Sequence, residues 1–233
     1  MTIDVLRRKN AAEKPRWESW SYEPRDRSET AATALTRLNE VLDDPIRWEC
    51  SCLQKKCGAC AMVINGVPKL ACDAFLRDYK KLRLEPLRKF PVVADLIVDR
   101  SVMRENLQAL HLWFEGEAQI SGRSGELAYE ASRCLQCGCC LEVCPNFSAD
   151  GLFTGMAGGI PMARLLAELP QKQREEAARL YRERVFEGCG KSLACRNVCP
   201  AGLDIDELLV NSNAAAVWKR FFGGKHDTKN QRI

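Results

Sequence analysis

The spacing of its cysteines constrains this chain more than any other feature, because eleven of the thirteen fall into three groups that any fold must bring together. In the first group Cys52, Cys57 and Cys60 are separated by four and two residues, and Cys72 follows after eleven more. That is the plant-type ferredoxin spacing, in which four thiolates hold a [2Fe–2S] cluster. The second group is Cys134-x2-Cys137-x2-Cys140-x3-Cys144-Pro145, the bacterial ferredoxin run, whose fourth cysteine ligates the neighbouring cluster. The third, Cys189-x5-Cys195-x3-Cys199-Pro200, is the same run with Ser192 where the second cysteine would stand.

By that exchange Cys134, Cys137 and Cys140 take Cys199 and complete a [4Fe–4S] set. Cys144 joins Cys189 and Cys195 and meets a serine at the fourth corner. A cubane with three thiolates tends to lose the unsupported iron, so this set reads as [3Fe–4S]. Cys50 and Cys139 are left over and read as small buried side chains. Three clusters in line make an electron wire. Such a chain needs no acid, base or nucleophile of its own.

Zinc and disulfides are the competing uses of cysteine. Structural zinc draws on short ligand pairs, often with histidine, and the two histidines, His111 and His226, lie outside the cysteine groups. Rieske ligation needs two histidines and fails for the same reason. An odd cysteine count, and an N-terminus (MTIDVLRRKN) without the apolar core of a signal peptide, speak against a disulfide framework. The formal net charge of +4 counts thiols as neutral. Thiolates and iron–sulfide cores together leave roughly −2 per cluster, so the basic balance is no sign of a nucleic-acid partner.

The length of 233 residues suits two domains of about 100 residues each. The best apolar stretch, Val92 to Val98, is interrupted by Asp95 and falls well short of the roughly 18 residues that span a bilayer. The chain is therefore expected to be soluble by itself. Strand signals dominate the first part: alternation at Ile3 and Val5, an extended stretch with Trp17, Trp20 and Tyr22, an Asn65-Gly66 hairpin between Ala61–Ile64 and Val67–Ala71, and Lys81–Leu87 ending at Pro86. One helix is expected over Thr30–Leu42, with Leu35, Leu38 and Leu42 on one stripe. Beyond Asp99 the pattern turns helical, with candidates at Ser101–Phe114, Pro161–Leu169, Gln171–Phe186 and Asp204–Lys219. In the charge-rich run Arg174–Arg184, Ala177, Tyr181 and Val185 share one face and the charges form a solvated one. The tail Gly223–Ile233 has no apolar periodicity and is expected to be mobile. The expected class is α+β: an N-terminal β-grasp plant-type ferredoxin domain at 1–105, then an all-α dicluster, bacterial-ferredoxin-like domain at 106–233.

SCLQKKCGACAMVINGVPKLAC (51–72), LEPLRKFPVVADLIVD (84–99), RCLQCGCCLEVCPNF (133–147) and CGKSLACRNVCPAGLD (189–204) together resemble the iron–sulfur subunit of succinate dehydrogenase and fumarate reductase. The resemblance implies a flavoprotein partner with FAD beside the ferredoxin-like domain. It also implies a membrane anchor beneath the dicluster domain, with haem b as a further cofactor that partners of such a subunit can carry. Electrons would pass between succinate/fumarate at the flavin and quinone in the membrane, placing the chain peripherally on the cytoplasmic face of the cell (inner) membrane.

Some positions depart from the family's habit. Leu53 and Lys55 replace a customary Arg and Gly in the first loop, and Lys55 is expected to favour the reduced cluster. Ser148 and Ala149 stand where ubiquinone-type members carry a tryptophan pair, and Gly190 where many carry His or Thr. The CPNF turn is more like the menaquinone-linked fumarate reductases. The quinone side is expected at Pro145, Asn146, Phe147, Gly190 and Lys191, with Lys191 a donor to a quinone carbonyl. Backbone N–H groups around Gly58 and Gly138 are expected donors to cluster sulfur. A thiol-dependent or other flavoprotein-linked fumarate reductase is the alternative, although the CCG-type motifs it would carry after residue 204 are absent from the chain.

Overall fold

Alternating apolar residues build the first half. A computed structural model of the chain describes residues 1–113, 117–118, 122–170 and 174–218. Strands β1 (Thr2–Arg7), β2 (Arg16–Ser21), β3 (Ala61–Ile64), β4 (Val67–Leu70) and β5 (Lys81–Glu85) form one sheet in the order β2-β1-β5-β3-β4. β1 and β5 run parallel, with Ile3 opposite Leu82 and Val5 opposite Leu84. All four side chains are fully buried, which contributes about 1.5–3 kcal/mol each. The tight turn at Asn65 and Gly66 has φ of 48° and 83°, the left-handed pair of a type I′ hairpin. Asn65 also accepts from the Arg83 N–H at 2.6 Å and donates to the Lys81 carbonyl at 2.9 Å, so the turn holds the neighbouring strand.

Helix α1 (Ala31–Asn39) covers the sheet with Ala31, Ala34, Leu35 and Leu38. Thr30 caps it, its hydroxyl accepting from the Thr33 N–H at 3.3 Å. The helix stops at Asn39 rather than Leu42, because the Asn39 side chain brackets Ile46 with hydrogen bonds of 2.7 and 2.8 Å and turns the chain.

The apolar stretch at 92–98 folds as a small hairpin, β6 (Val92–Ala94) and β7 (Ile97–Val98). Asp95 at its tip is buried with φ 44°. Its carboxylate pairs with the equally buried Arg7 at 3.0 Å and accepts the Arg8 and Arg47 N–H groups at 2.9 Å each. The charge that breaks the apolar run is thus the tie between this hairpin and β1.

Helices α2 (Ser101–Ala109), α3 (Arg123–Ser132), α4 (Cys139–Glu142), α5 (Gly155–Glu168), α6 (Arg174–Tyr181), α7 (Ala194–Asn197) and α8 (Ile205–Asn213) make up the second half. α6 and α8 run on into π-helical turns at Arg182–Phe186 and Ala214–Trp218. Phe114, the first three residues of Gln171–Phe186, Lys219, His226 and the tail Gly223–Ile233 lie outside the described residues.

Three helical expectations need correction. α2 stops at Ala109 short of Phe114, where His111 enters the left-handed region at φ 49°. No apolar stripe marks α3 in the sequence, because the side chains it buries most deeply are Ala128 and Ala131, too small to form one. α5 begins at Gly155, ahead of the expected start, and so carries Pro161 in its interior. The missing proline N–H leaves the Ala157 carbonyl without its helical donor, and the Gln136 side chain takes that place at 2.9 Å. Along α6 and its π-helical turn, Ala177, Tyr181 and Val185 are buried as the pattern requires, and Glu175, Glu176, Arg179 and Glu183 face solvent. Arg182, expected on the solvated face, is instead half-buried and donates to the Ala216 carbonyl at 2.6 Å. The core beneath the sheet continues through Phe90 into Cys137, Cys139, Leu141 and Phe147, joining the two halves.

Candidate iron–sulfur centres

Residues 52–60 form a loop in which Leu53, Lys55 and Gly58 have φ of 53°, 58° and 75°. Left-handed residues alternating with ordinary ones turn successive backbone N–H groups to one side and make an anion-binding concavity. Here the N–H groups of Gln54 and Lys56 donate to Cys52 Sγ at 3.3 and 3.4 Å, and that of Lys55 to Cys72 Sγ at 3.3 Å. Those donors, Gln54 first, pull the Cys52 thiol down to about 7. Cys57 also hydrogen-bonds to Cys52, and Cys60 lies 3.4 Å from Cys72. Burial pushes the Cys60 thiol up to about 12. All four residues of the first group therefore meet, with donors aimed at sulfur as a thiolate-held cluster demands.

The donors are the N–H groups of Gln54, Lys55, Lys56 and Cys57, in the loop around Gly58 as expected. Gly58 has another reason to be glycine: a Cβ there would lie 2.7 Å from the Leu135 carbonyl oxygen and 2.9 Å from Cys137 Cβ. The first cluster loop thus rests directly on the turn of the second. Lys55 is not a free charge beside the first group, since its amine pairs with Asp73 at 2.7 Å.

The second group lies on a turn with Gln136 and Gly138 in the left-handed region, leading into α4. Cys134, Cys137 and Cys140 line a cavity walled by Ala157, Ile160, Leu203 and Ile205, and the fourth sulfur on its wall is Cys199, from the third group. Burial, with Cys137 and Cys199 nearby, pushes the Cys134 thiol up to about 11. A hydrogen bond from Cys139 draws Cys137 down to about 7. Cys195 is pushed up to about 11 by burial, and its charged neighbours are Cys144 and Cys189. The fourth cysteine of each run is thus brought to the other run.

Among the described residues no three His, Cys, Asp or Glu side chains converge as they would on a single metal ion. Cluster thiolates bind different irons and need no such convergence. All thirteen cysteines are free thiols. Cys139 is fully buried, as expected, whereas Cys50 is exposed at the mouth of the first loop.

Several residues that serve these turns escaped sequence reasoning. Arg100 sits between the first two groups. It donates to the Ala59 and Ala61 carbonyls at 3.2 Å each and pairs with Glu49 at 2.7 Å, and its charge bears on Cys137. Lys89 donates through its backbone to Glu142 at 3.1 Å, and its amine reaches the Cys144 and Phe147 carbonyls. Its place in 84–99 was visible, but nothing in the spacing joined that segment to Cys144.

On the expected quinone side, Pro145, Asn146, Gly190 and Lys191 are exposed. Phe147 is the exception. It is 4% exposed and packs against Phe90 at 6.1 Å between ring centroids, so it supports the turn from within. Gly190 leaves no vacancy, since a Cβ there would lie 2.9 Å from the Asn146 amide, which itself donates to the Gly188 carbonyl at 2.7 Å. The Lys191 amine is folded back, donating to the Cys189 carbonyl at 3.0 Å over the Phe186 ring.

Comparison with known proteins agrees with this geometry. Residues 2–105 match the family model of a 2Fe-2S iron-sulfur cluster binding domain, and residues 130–203 that of a 4Fe-4S dicluster domain. The succinate dehydrogenase iron-sulfur subunit of Bacillus subtilis is 34% identical over 196 residues, covering 77% of this chain and 76% of the relative. The fumarate reductase iron-sulfur subunit of Haemophilus influenzae is 31% identical over 227 residues, covering 88% of each. A chain of the Mycobacterium smegmatis Sdh1 complex in the apo form shares the fold, with TM-score 0.79 at 22% identity over 94% of this chain and 96% of that one.

A β-sheet ferredoxin-like half and a helical dicluster half, joined through their cysteine turns, define an iron–sulfur electron-transfer protein. The chain belongs to the family of iron–sulfur subunits of succinate dehydrogenases and fumarate reductases, as the electron-transfer part of an oxidoreductase complex.

Proposed function

We propose that the chain carries single electrons between the FAD of a succinate/fumarate flavoprotein subunit and a membrane quinone, of the menaquinone type by its CPNF turn. Cys52, Cys57, Cys60 and Cys72 would hold a [2Fe–2S] cluster, Cys134, Cys137, Cys140 and Cys199 a [4Fe–4S], and Cys144, Cys189 and Cys195 a [3Fe–4S]. Once bound, these groups supply one-electron redox capacity, which divides the two-electron chemistry of a flavin into single steps.

The residues contribute binding, insulation and continuity. The backbone donors at 54–56 stabilise thiolate sulfur in the first loop. Ala157, Ile160, Leu203 and Ile205 keep water from the second. The absence of a Cβ at Gly58 lets the first loop touch the second turn. The observation that carries the reading is the exchange: Cys199 lines the cavity of the first three cysteines of its neighbour run, while Cys195 faces Cys144 and Cys189.

The domain division falls at 105/106 in this reading. The flavoprotein would dock beside the first half and the anchor against the exposed turns at Pro145, Asn146, Gly190 and Lys191. No described helix is long and apolar enough to cross a membrane, so attachment to the cytoplasmic face of the cell membrane would come through the anchor. The two relatives named above cover 77% and 88% of this chain and carry succinate dehydrogenase and fumarate reductase names, which does not favour the thiol-dependent alternative.

Metal analysis and EPR of the purified complex test the assignment. About nine irons per chain are expected, with separate [2Fe–2S], [4Fe–4S] and [3Fe–4S] signals. About six irons, or zinc in their place, would overturn it.

A further inference from the structure

We propose that Gln136 tunes the potential of the [4Fe–4S] centre by donating to a ligand sulfur, and that the proline inside α5 holds its amide in place. The inference rests on the assignment of Cys134 to that centre.

Gln136 Nε2 lies 3.4 Å from Cys134 Sγ and 2.9 Å from the Ala157 carbonyl oxygen. Ala157 is the residue four before Pro161, so its carbonyl is the one that the proline leaves without a helical N–H. A primary amide has two hydrogens, and these two acceptors use both. The acceptors also decide which way the amide points. Flipped, its oxygen would face a carbonyl oxygen and a thiolate, both of them electron-rich. The amide oxygen is instead buried with no hydrogen-bond partner. A buried, unpartnered acceptor is unfavourable, so the orientation is retained for what the nitrogen does.

Gln136 sits in the left-handed region, with φ 49°, and its own backbone N–H also reaches Cys134. Main chain and side chain of one residue therefore converge on one sulfur. Among the described residues, Gln136 is the one side chain, cysteines apart, that donates to a candidate ligand sulfur.

The consequence is electrostatic. A donor on a ligand sulfur withdraws negative charge, and the reduced cluster, one electron more negative, gains more from it than the oxidised one. Such donors raise the potential, most strongly in a dry, apolar cavity. The Cys134 cavity is apolar apart from its sulfurs and this amide.

The test is an EPR-monitored redox titration of the whole complex, in which a mediator gives one electron to each cluster and no bond is made or broken. Gln136→Met keeps approximate length and bulk and removes the donor. The equilibrium constant for reducing the [4Fe–4S] cluster should fall about tenfold, a potential 59 mV lower for a one-electron couple, with the [2Fe–2S] and [3Fe–4S] potentials unchanged. The variant also strips the Ala157 carbonyl of its donor and should melt at a lower temperature. Gln136→Met/Pro161→Ala gives that carbonyl a helical N–H again, so the melting temperature should recover while the potential stays low. An unchanged potential in Gln136→Met, or one that returns with stability in the double variant, would overturn the inference and leave the cluster assignment standing. A shift confined to another cluster would overturn the assignment of Cys134 together with the inference.

Discussion

The first cysteine loop and the paired turns position the same kind of side chain by different means. In the loop, Cys52 and Cys57 are at or near the surface, and backbone N–H groups from the residues between them pull the Cys52 thiol down to about 7. In the paired turns, burial pushes Cys134 and Cys195 up to about 11 while Cys139 draws Cys137 down to about 7, and one of the four sulfurs around the Cys134 cavity comes from the other turn. The loop is prepared for thiolate by its own backbone. Burial disfavours bare thiolate at Cys134 and Cys195, as it does at Cys60 in the loop, so a metal cluster has more to offset at those sulfurs. Local backbone shape governs the one site and helix packing the other.

Removing Cys199 should break that contrast most sharply. Cys199→Ala leaves three thiolates and is expected to abolish the [4Fe–4S] signal in favour of a second three-iron centre, lowering iron from about nine to about eight per chain, while the [2Fe–2S] signal persists. Selective loss of the [3Fe–4S] signal would show that the runs do not exchange their last cysteines.

Asp95→Ala tests the sheet half alone. It leaves the buried Arg7 with the partly exposed Glu18 and Asp44 as ion-pair partners and frees the Arg8 and Arg47 N–H groups, for a loss of about 1–3 kcal/mol. Urea unfolding followed by circular dichroism measures it, and a loss below about 1 kcal/mol would mean the ion pair is not what joins the 92–98 hairpin to β1.

The smallest effect is expected in the third group. Ser192→Cys offers a thiolate where the run lacks one, so the EPR signal of the oxidised [3Fe–4S] cluster should weaken and its potential fall. Ser192 is exposed, and an undiminished signal would mean that the new thiol does not reach the cluster.

Much of this was legible in the residues. Period-two alternation placed β1 and β5, and Asn65-Gly66 placed the hairpin, because those signals depend only on neighbours along the chain. Cysteine spacing located all three turns. The failures share a cause. Lys55 looked like a charge on the first cluster until Asp73 took it up. Phe147 looked like a surface until Phe90 covered it. Each depended on a partner distant in sequence, and spacing carries no information about such partners.

The sequence by itself determined the ligand types, their order along the chain and the class of fold, since thiolate spacing and hydrophobic period are local quantities. Only the tertiary structure decided how the sites are joined. Gly58 lets one loop rest on the next turn, Arg100 stands between them, and the carbonyl opened by Pro161 finds its donor in Gln136. These links arise where separate elements pack, because buried polar groups must find partners wherever the fold brings them.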